Sequence, residues 1–410
     1  MNILHVNTRI SGGGAAVAAV RLHQGLKLAG HTSRFMVGTG SASLPEISSV
    51  PDDWRTPWLH RIIPFSGLNY LEYLGSYKIA QTDFFKQADI LNLHNLHRDY
   101  FSYPALAGLT KITPAVWTLH DMWAFTGHCA YSFDCQRWVT GCGRCPHLTG
   151  YPEARRDATK WEWRLKKSVY ARSDITIVTA SRWLEEMAGR SMLAAYFPIK
   201  RIPHGINTTV YRAMDKTLCR TVLGLPKNKK VLMFAAVDTE EFRKGGDLLL
   251  SALKTLPDSL KADLILLIMG AGQEARFKDI DMKIVSLGYV DNDVFKVIGY
   301  NAADVFLFPS RADIWSLVVQ EAMSCGIPSV AFDVGGVPDL VRHRTTGLLV
   351  PPEDTASFKD AIVELLEDRR LYQTVSSGCE KTAADEYTIE LQASRYLSLY
   401  QEILMGASAG

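Results

Sequence analysis

The chain has 410 residues, 47% of them hydrophobic and 21% charged, with a formal net charge of +2 at pH 7. That length exceeds what one hydrophobic core usually serves, so two domains are expected, and the composition is that of a globular protein rather than a disordered one. The near-balanced charge speaks against a general nucleic-acid binder, and no apolar run approaches the roughly 20 residues of a membrane span.

The opening residues, MNILHVN, read as a strand. They lack the charged start and long apolar stretch of a signal peptide, so a cytoplasmic protein is expected, with peripheral contact at the inner face of the cell membrane left open. A Gly-rich stretch, SGGGAA, follows, and then a helix that stops at Gly30. The short apolar runs SRFMVG, ADILNLHN, PAVWTLHD and ITIVTAS come next, separated by segments with helical spacing. Strands alternating with helices imply a parallel, doubly wound sheet.

After Asn207 the pattern restarts. KKVLMFAAV reads as a strand, TEEFRKGG as a loop and DLLLSALKTL as an amphipathic helix. ADLILLIMGAG, DMKIVSLGYV and DVFLFPS are further strands, SLVVQEAMSCG is a helix ending at Gly326, and PSVAFDVGG is a strand with a turn. The predicted architecture is α/β, with two Rossmann-like domains, 1–205 and 206–387, separated where Pro203 and Gly205 interrupt RIPHGIN. A last amphipathic helix over 388–406 is expected to pack back onto the first domain. Two such domains would place the carboxyl ends of both sheets around one ligand cleft.

The strongest chemical signal is FPSRADIWSLVVQEAMSCGIPSVAFDVGGVPDLV, with TTGLLVPP just after it. It sets two carboxylates, Asp313 and Glu321, on either side of a loop and the first turns of a helix. Backbone N–H groups at that helix start, around Ile314, Trp315, Ser316 and Leu317, suit an anionic diphosphate. Glu321 would accept hydrogen bonds from ribose hydroxyls and Asp313 from sugar hydroxyls; the alternative makes Asp313 a helix cap and Glu321 a surface residue. Arg243 and Lys244, in a loop between strand and helix, would neutralise a diphosphate without a metal, or else form a solvated basic loop.

Gly12, Gly13 and Gly14 let a backbone approach a ligand, or simply make a tight turn. They fit a dinucleotide fingerprint poorly, because Val17 stands where a third glycine is expected and no acidic residue ends SRFMVG. His120 and Asp121 end PAVWTLHD, and His94 ends another strand; a histidine there could orient hydroxyls or shuttle a proton.

Of seven cysteines, Cys129, Cys135, Cys142 and Cys145 cluster near His128 and His147, while Cys219, Cys325 and Cys379 are scattered. The cluster reads either as a structural zinc site or as reduced thiols in a loop. Two aromatic segments, 54–77 and 151–172, read as contacts to a membrane surface or as core helices with a solvated charged face.

The block around Asp313 and Glu321 resembles the donor-binding region of retaining family 4 glycosyltransferases, which have the two-domain GT-B fold. The resemblance extends to the opening Gly loop, TLHD, RKGGDLLLSAL and GYV. It implies hexose transfer, with retention, from a nucleotide-sugar donor to a glycan or lipid-linked acceptor in exopolysaccharide or envelope polysaccharide synthesis. UDP-glucose comes first among donors, and neither a catalytic metal nor nucleic acid takes part. It assigns catalytic roles to His120, Arg243, Lys244, Asp313 and Glu321. Donor binding falls to Gly12, Gly13, Gly14, Val290, Ile314, Trp315, Ser316 and Leu317, with backbone groups from Gly288 to Val290 at the uracil. Two positions depart from the family pattern: Asp313 stands where Glu is usual, and Ala236 and Val237 stand where an Arg is usual, leaving Arg243 as its substitute. The remaining readings are a GT-B-fold epimerase or phosphorylase, a non-catalytic nucleotide-sugar-binding subunit, and a Rossmann oxidoreductase.

Overall fold

A computed structural model describes residues 1–39, 44–238, 241–272, 277 and 279–407. The chain divides into two compact units, Met1–Gly205 with Glu390–Gly410, and Ile206–Ile389.

The first unit is built on a seven-stranded sheet. Its strands are β1 (Asn2–Asn7), β2 (Thr32–Val37), β3 (Ile47–Ser49), β4 (Ile90–Leu93), β5 (Ala115–Leu119), β6 (Ile175–Thr179) and β7 (Ile199–Arg201). They lie in the order β3-β2-β1-β4-β5-β6-β7, and every pairing is parallel. A parallel sheet carries helices on both faces, which is why β4 and β5 are buried throughout and almost continuously apolar. The order reverses between β1 and β4, so the loops leaving the carboxyl ends of these strands part there and leave a crevice.

The final helix, Ile389–Ala407, belongs to this unit. Ala393, Tyr396, Leu399 and Tyr400 share a core with Ile3, Leu22, Ile90, Val116 and Val178. It also explains two polar residues inside buried strands. Asn92 donates to the Tyr400 hydroxyl at 2.6 Å, and the Thr118 and Tyr396 hydroxyls lie 2.8 Å apart. Buried polar groups persist where they find such partners.

The second unit has six parallel strands. They are β8 (Lys230–Asp238), β9 (Leu264–Ala271), β10 (Lys283–Ser286), β11 (Val305–Phe308), β12 (Ser329–Phe332) and β13 (Gly347–Val350). Their order is β10-β9-β8-β11-β12-β13, and it reverses between β8 and β11. The β8–β9 register shifts between Ala235 and Asp238, the segment that holds Ala236 and Val237. A Cβ at Gly270 would fall 1.7 Å from the Ala236 carbonyl oxygen, so only glycine lets β9 pass the irregularity.

The first half of segment 54–77 does not form core helices. The segment makes two single-turn helices, Thr56–Leu59 and Ile63–Ser66, that leave Trp54, Trp58, Ile62 and Phe65 exposed, and then a 3-10 helix, Leu74–Gln81, that begins beside the buried Glu72 and Tyr73. In segment 151–172 the helix Thr159–Tyr170 buries Trp163 and exposes Trp161. Of the expected loop TEEFRKGG, Thr239 and Glu240 lie outside the described residues. No helix among the described residues is long and apolar enough to cross a membrane.

Candidate active site

In the second unit the loops leaving β8 and β11 are bonded to each other. The first makes one tight turn, Phe242–Lys244, and then Gly245 at φ +69° opens the helix Gly246–Lys254. A Cβ at Gly245 would lie 1.9 Å from the Pro309 carbonyl oxygen, so this close approach requires glycine. The Arg311 N–H and the Ser310 hydroxyl both donate to the Arg243 carbonyl, at 2.8 and 2.9 Å.

That stitching aims three charges at one point. Lys244 Nζ donates to Asp313 Oδ2 at 3.1 Å, and Arg243 Nη1 donates to the same oxygen at 3.2 Å. Asp313 Oδ1 accepts from the Trp315 N–H at 3.2 Å, and the Asp313 carbonyl accepts from the Gly336 N–H at 2.9 Å. Arg243 is also forked onto Glu241, at 2.7 and 3.2 Å. Burial raises the Asp313 carboxyl, but Lys244 and Arg243 outweigh it and hold the group below its ordinary value. Burial pulls the Lys244 ammonium down, and Asp313 recovers only part of the loss. A buried carboxylate between two cations is thus kept ionised.

Glu321 lies in the helix Leu317–Ser324 and is 4% exposed, so it is not a surface residue. Its Oε2 accepts from the Tyr300 hydroxyl at 2.8 Å. The helix cap is Ser316, whose Oγ accepts from the Val319 N–H, rather than Asp313. Trp315 donates through Nε1 to Gln320 Oε1 at 3.3 Å and packs edge-on against Tyr387. Ile314 is buried, and Leu317 and Val290 are half-buried. The carbonyl of nearby Gly288 accepts from the Gly270 N–H at 2.8 Å. Tyr300 carries no sequence signal: it is an apolar-face residue of the helix Asp293–Ala302, and only packing sets it against Glu321.

In the first unit, Gly12 and Gly13 adopt φ +72° and +96°, a region that favours glycine. Gly13 is the N-cap of the helix Gly14–Leu28, and no side chain caps that end. His120, just beyond β5, places Nε2 3.0 Å from His94 Nδ1 and stacks on His204 with ring centres 5.2 Å apart. Burial lowers the His120 imidazole to about 4, against the opposing pull of Asp121. Asp121 itself lies 2.7 Å from His97 Nε2 and accepts from the Trp123 N–H at 2.8 Å, which starts the turn Trp123–Phe125.

Of the two readings of the cysteine cluster, the zinc site is not supported. Cys129, Cys135, Cys142 and Cys145 do line one small cavity with His128. Among the described residues, however, no group of three or more His, Cys, Asp or Glu side chains is placed to hold a metal ion. Two of the sulfurs have other polar neighbours: the Gly127 N–H donates to Cys142 Sγ at 3.2 Å, and His128 Nε2 lies 3.3 Å from Cys145 Sγ. Burial raises Cys129 to about 12 and Cys142 to about 11.

Residues 12–210 match the family model of glycosyltransferase family 4, and residues 228–368 match that of glycosyl transferases group 1. The chain is 23% identical to Escherichia coli (strain K12) WcaC, named as a colanic acid biosynthesis glycosyl transferase, over 98% of this chain and 100% of that protein. Among solved structures, sucrose-phosphate synthase from Thermosynechococcus elongatus superposes with a TM-score of 0.73 at 18% identity, covering 99% of this chain and 100% of its own. Anabaena HepE, solved with UDP and glucose, superposes with a TM-score of 0.70 at 16% identity, covering 98% of this chain and 99% of its own.

Proposed function

The chain belongs to glycosyltransferase family 4 and has the GT-B fold, and on that premise we propose that it transfers a hexose, with retention, from UDP-glucose to a glycan or lipid-linked acceptor in polysaccharide synthesis. The observation that carries this reading is the convergence of Lys244 and Arg243 on Asp313 Oδ2 where the strand order reverses.

A donor diphosphate carries more negative charge than one carboxylate. It draws Lys244 and Arg243 onto its oxygens and leaves Asp313 to accept from hydroxyls of the sugar. The bond from the sugar's anomeric carbon to the diphosphate oxygen then breaks, and the acceptor oxygen bonds to that carbon on the same face. The acceptor's proton passes to the leaving diphosphate, so no covalent enzyme intermediate is needed. The protein's contribution is positioning and charge stabilisation, which the two cations provide without a metal.

Glu321, held by Tyr300, takes the ribose, and the backbone from Gly288 to Val290 takes the uracil. In the first unit, the loop of Gly12, Gly13 and Gly14 and the imidazole of His120 meet sugar hydroxyls. The relatives support polysaccharide synthesis through the name of WcaC, and the HepE complex supports UDP and glucose as ligands of this fold. The exposed Trp54, Trp58, Ile62 and Phe65 suit peripheral contact with a membrane that carries a lipid-linked acceptor. Calorimetry against UDP-glucose, UDP and GDP-mannose tests the donor assignment. Binding of both uridine ligands is expected, and binding of GDP-mannose with no response to either of them overturns it.

A further inference from the structure

Five side chains form an unbroken line across the first sheet. His23 Nδ1, on the helix Gly14–Leu28, lies 2.8 Å from Ser33 Oγ on β2. Ser33 Oγ lies 3.0 Å from His5 Nε2 on β1, and His5 Nδ1 lies 2.9 Å from His94 Nε2, one residue beyond β4. His94 Nδ1 lies 3.0 Å from His120 Nε2, one residue beyond β5. β2, β1, β4 and β5 are successive neighbours, so the line crosses four strands. His5, Ser33 and His94 are at most 3% exposed, and the rings of His5 and His94, and of His94 and His120, lie edge to edge with planes inclined by only 21° and 28°. No residue of this line except His120 enters the proposed transfer.

Hydrogen counting restricts such a line severely. A neutral imidazole has one N–H and one lone pair, and a hydroxyl has one hydrogen. Ser33 can donate to only one of its two histidine neighbours, so the other must donate to it. Following the links outward leaves two orderings. In one, His5, His23, His94 and His120 all carry hydrogen on Nε2; in the other, all four carry it on Nδ1.

We infer that this line is a neutral relay that sets which nitrogen of His120 bears hydrogen, so that Nδ1 meets a sugar hydroxyl either as an acceptor or as a donor without any change of charge. In passing from the Nε2 ordering to the Nδ1 ordering, the four link hydrogens each move one step toward His23. One proton enters at His120 Nδ1 and one leaves at His23 Nε2, and every group is neutral before and after. Burial, together with neighbouring imidazoles for His5 and His94, keeps these rings uncharged near neutrality, with His23 and His120 lowered to about 4. His23, Ser33, His5 and His94 are positioning residues that act through His120, and the functional half of the inference rests on the reading that His120 meets a sugar hydroxyl.

Long-range proton–nitrogen NMR on protein labelled with nitrogen-15 histidine reads each tautomer, with single His→Gln variants for assignment. The four histidines are expected to be neutral and to share one tautomer; a mixture among them overturns the relay. Ser33→Ala removes the partner of His5 Nε2, and an orphaned buried N–H is harder to tolerate than an orphaned lone pair. His5, His94 and His120 in Ser33→Ala are therefore expected to carry hydrogen on Nδ1, with Ser33→Thr keeping the wild-type pattern. Retention of Nε2–H at any of the three also overturns the relay.

Turnover tests the functional half separately. If Ser33→Ala changes the tautomer of His120, kcat should fall by about tenfold at unchanged donor KM, the worth of one neutral hydrogen bond. If the tautomer is already Nδ1–H, kcat should stay at the wild-type value. A tautomer that changes while kcat does not leaves the relay standing and refutes the role given to His120.

Discussion

Just beyond β5, His120 is bonded to an uncharged imidazole; beyond β11, Asp313 is bonded to an ammonium and a guanidinium. Both residues follow strands close to where a doubly wound sheet reverses its order; Asp313 is buried and His120 half-buried. The scaffold is shared and the electrostatics are opposite. Burial drives a histidine beside other histidines toward neutrality, because no counter-charge offsets the lost hydration. Burial leaves Asp313 ionised, because two cations reach it from the neighbouring loop, and removing a partner from such a group exposes an uncompensated charge. Strand-end position therefore determines which residues meet, while their partners determine whether the meeting is charged.

The largest expected effect lies on the charged side. Lys244→Ala removes a cation that meets the leaving diphosphate, and turnover should fall by about 100-fold or more, with weaker donor binding. Near-wild-type transfer by the purified variant would remove Lys244 from the chemistry and leave it only an ion-pair partner.

Next come the two carboxylates, which the proposed roles separate. Glu321→Ala should raise donor KM by roughly 10- to 150-fold, the range for a hydrogen bond to a charged group. Asp313→Ala should depress turnover more than it weakens binding of free UDP, which lacks the sugar. Calorimetry with UDP beside steady-state kinetics distinguishes them; equal loss of UDP binding in both variants would show the roles wrongly divided. Asp313→Glu, which restores the family's usual residue, should retain activity.

A smaller effect separates the two regions by pH. Unfolded histidine titrates near 6.5, while His23 and His120 are lowered to about 4 in the folded chain. The unfolded state therefore binds more protons between about 4 and 6.5, so this contribution to stability is lost as pH falls through that window. The Asp313 contribution has the opposite origin, a depressed carboxylate, and is lost only as pH falls below 3.8. Glu162, raised to about 7 by burial, runs against the histidines across the same range, so the difference between proteins is the measure. Thermal unfolding from pH 6.5 to 4 should show a flatter loss in His120→Gln than in wild type; identical slopes would refute the neutral state of His120. The smallest expected effect is none: with cations in place of a metal, EDTA should leave transfer unchanged, and a reversible Mg²⁺ or Mn²⁺ requirement would overturn that assignment.

Much of this was readable from local pattern. Alternating strands and helices indicated two doubly wound sheets because hydrophobic period and Gly or Pro breaks are local properties. The spacing of Asp313 and Glu321 likewise placed one before a helix and the other within it. The two readings of the cysteine cluster mark where spacing stops being informative, since ligand geometry depends on how a loop folds and not on how its cysteines are counted. The exposure of Trp54 and Phe65 marks the same boundary, because composition cannot say which aromatic residues find a core.

The pairings that carry the chemistry are of a different kind. Arg243 and Lys244 stand some 70 positions before Asp313, and they meet because β8 and β11 are neighbours. His5, His94 and His120 are separated by 89 and 26 positions, and they meet because β1, β4 and β5 lie side by side. Tyr300 reaches Glu321 through helix packing, with no spacing rule to announce it. Residue type and local period belong to the chain as written, and they were enough for most strands, though not for β3, β7 or β13, and for the fold class and the family. Contacts between distant strand ends follow from sheet order, which is settled when whole elements bury their apolar faces together, and so the ionised Asp313 and the neutral histidine line emerge only in the folded protein.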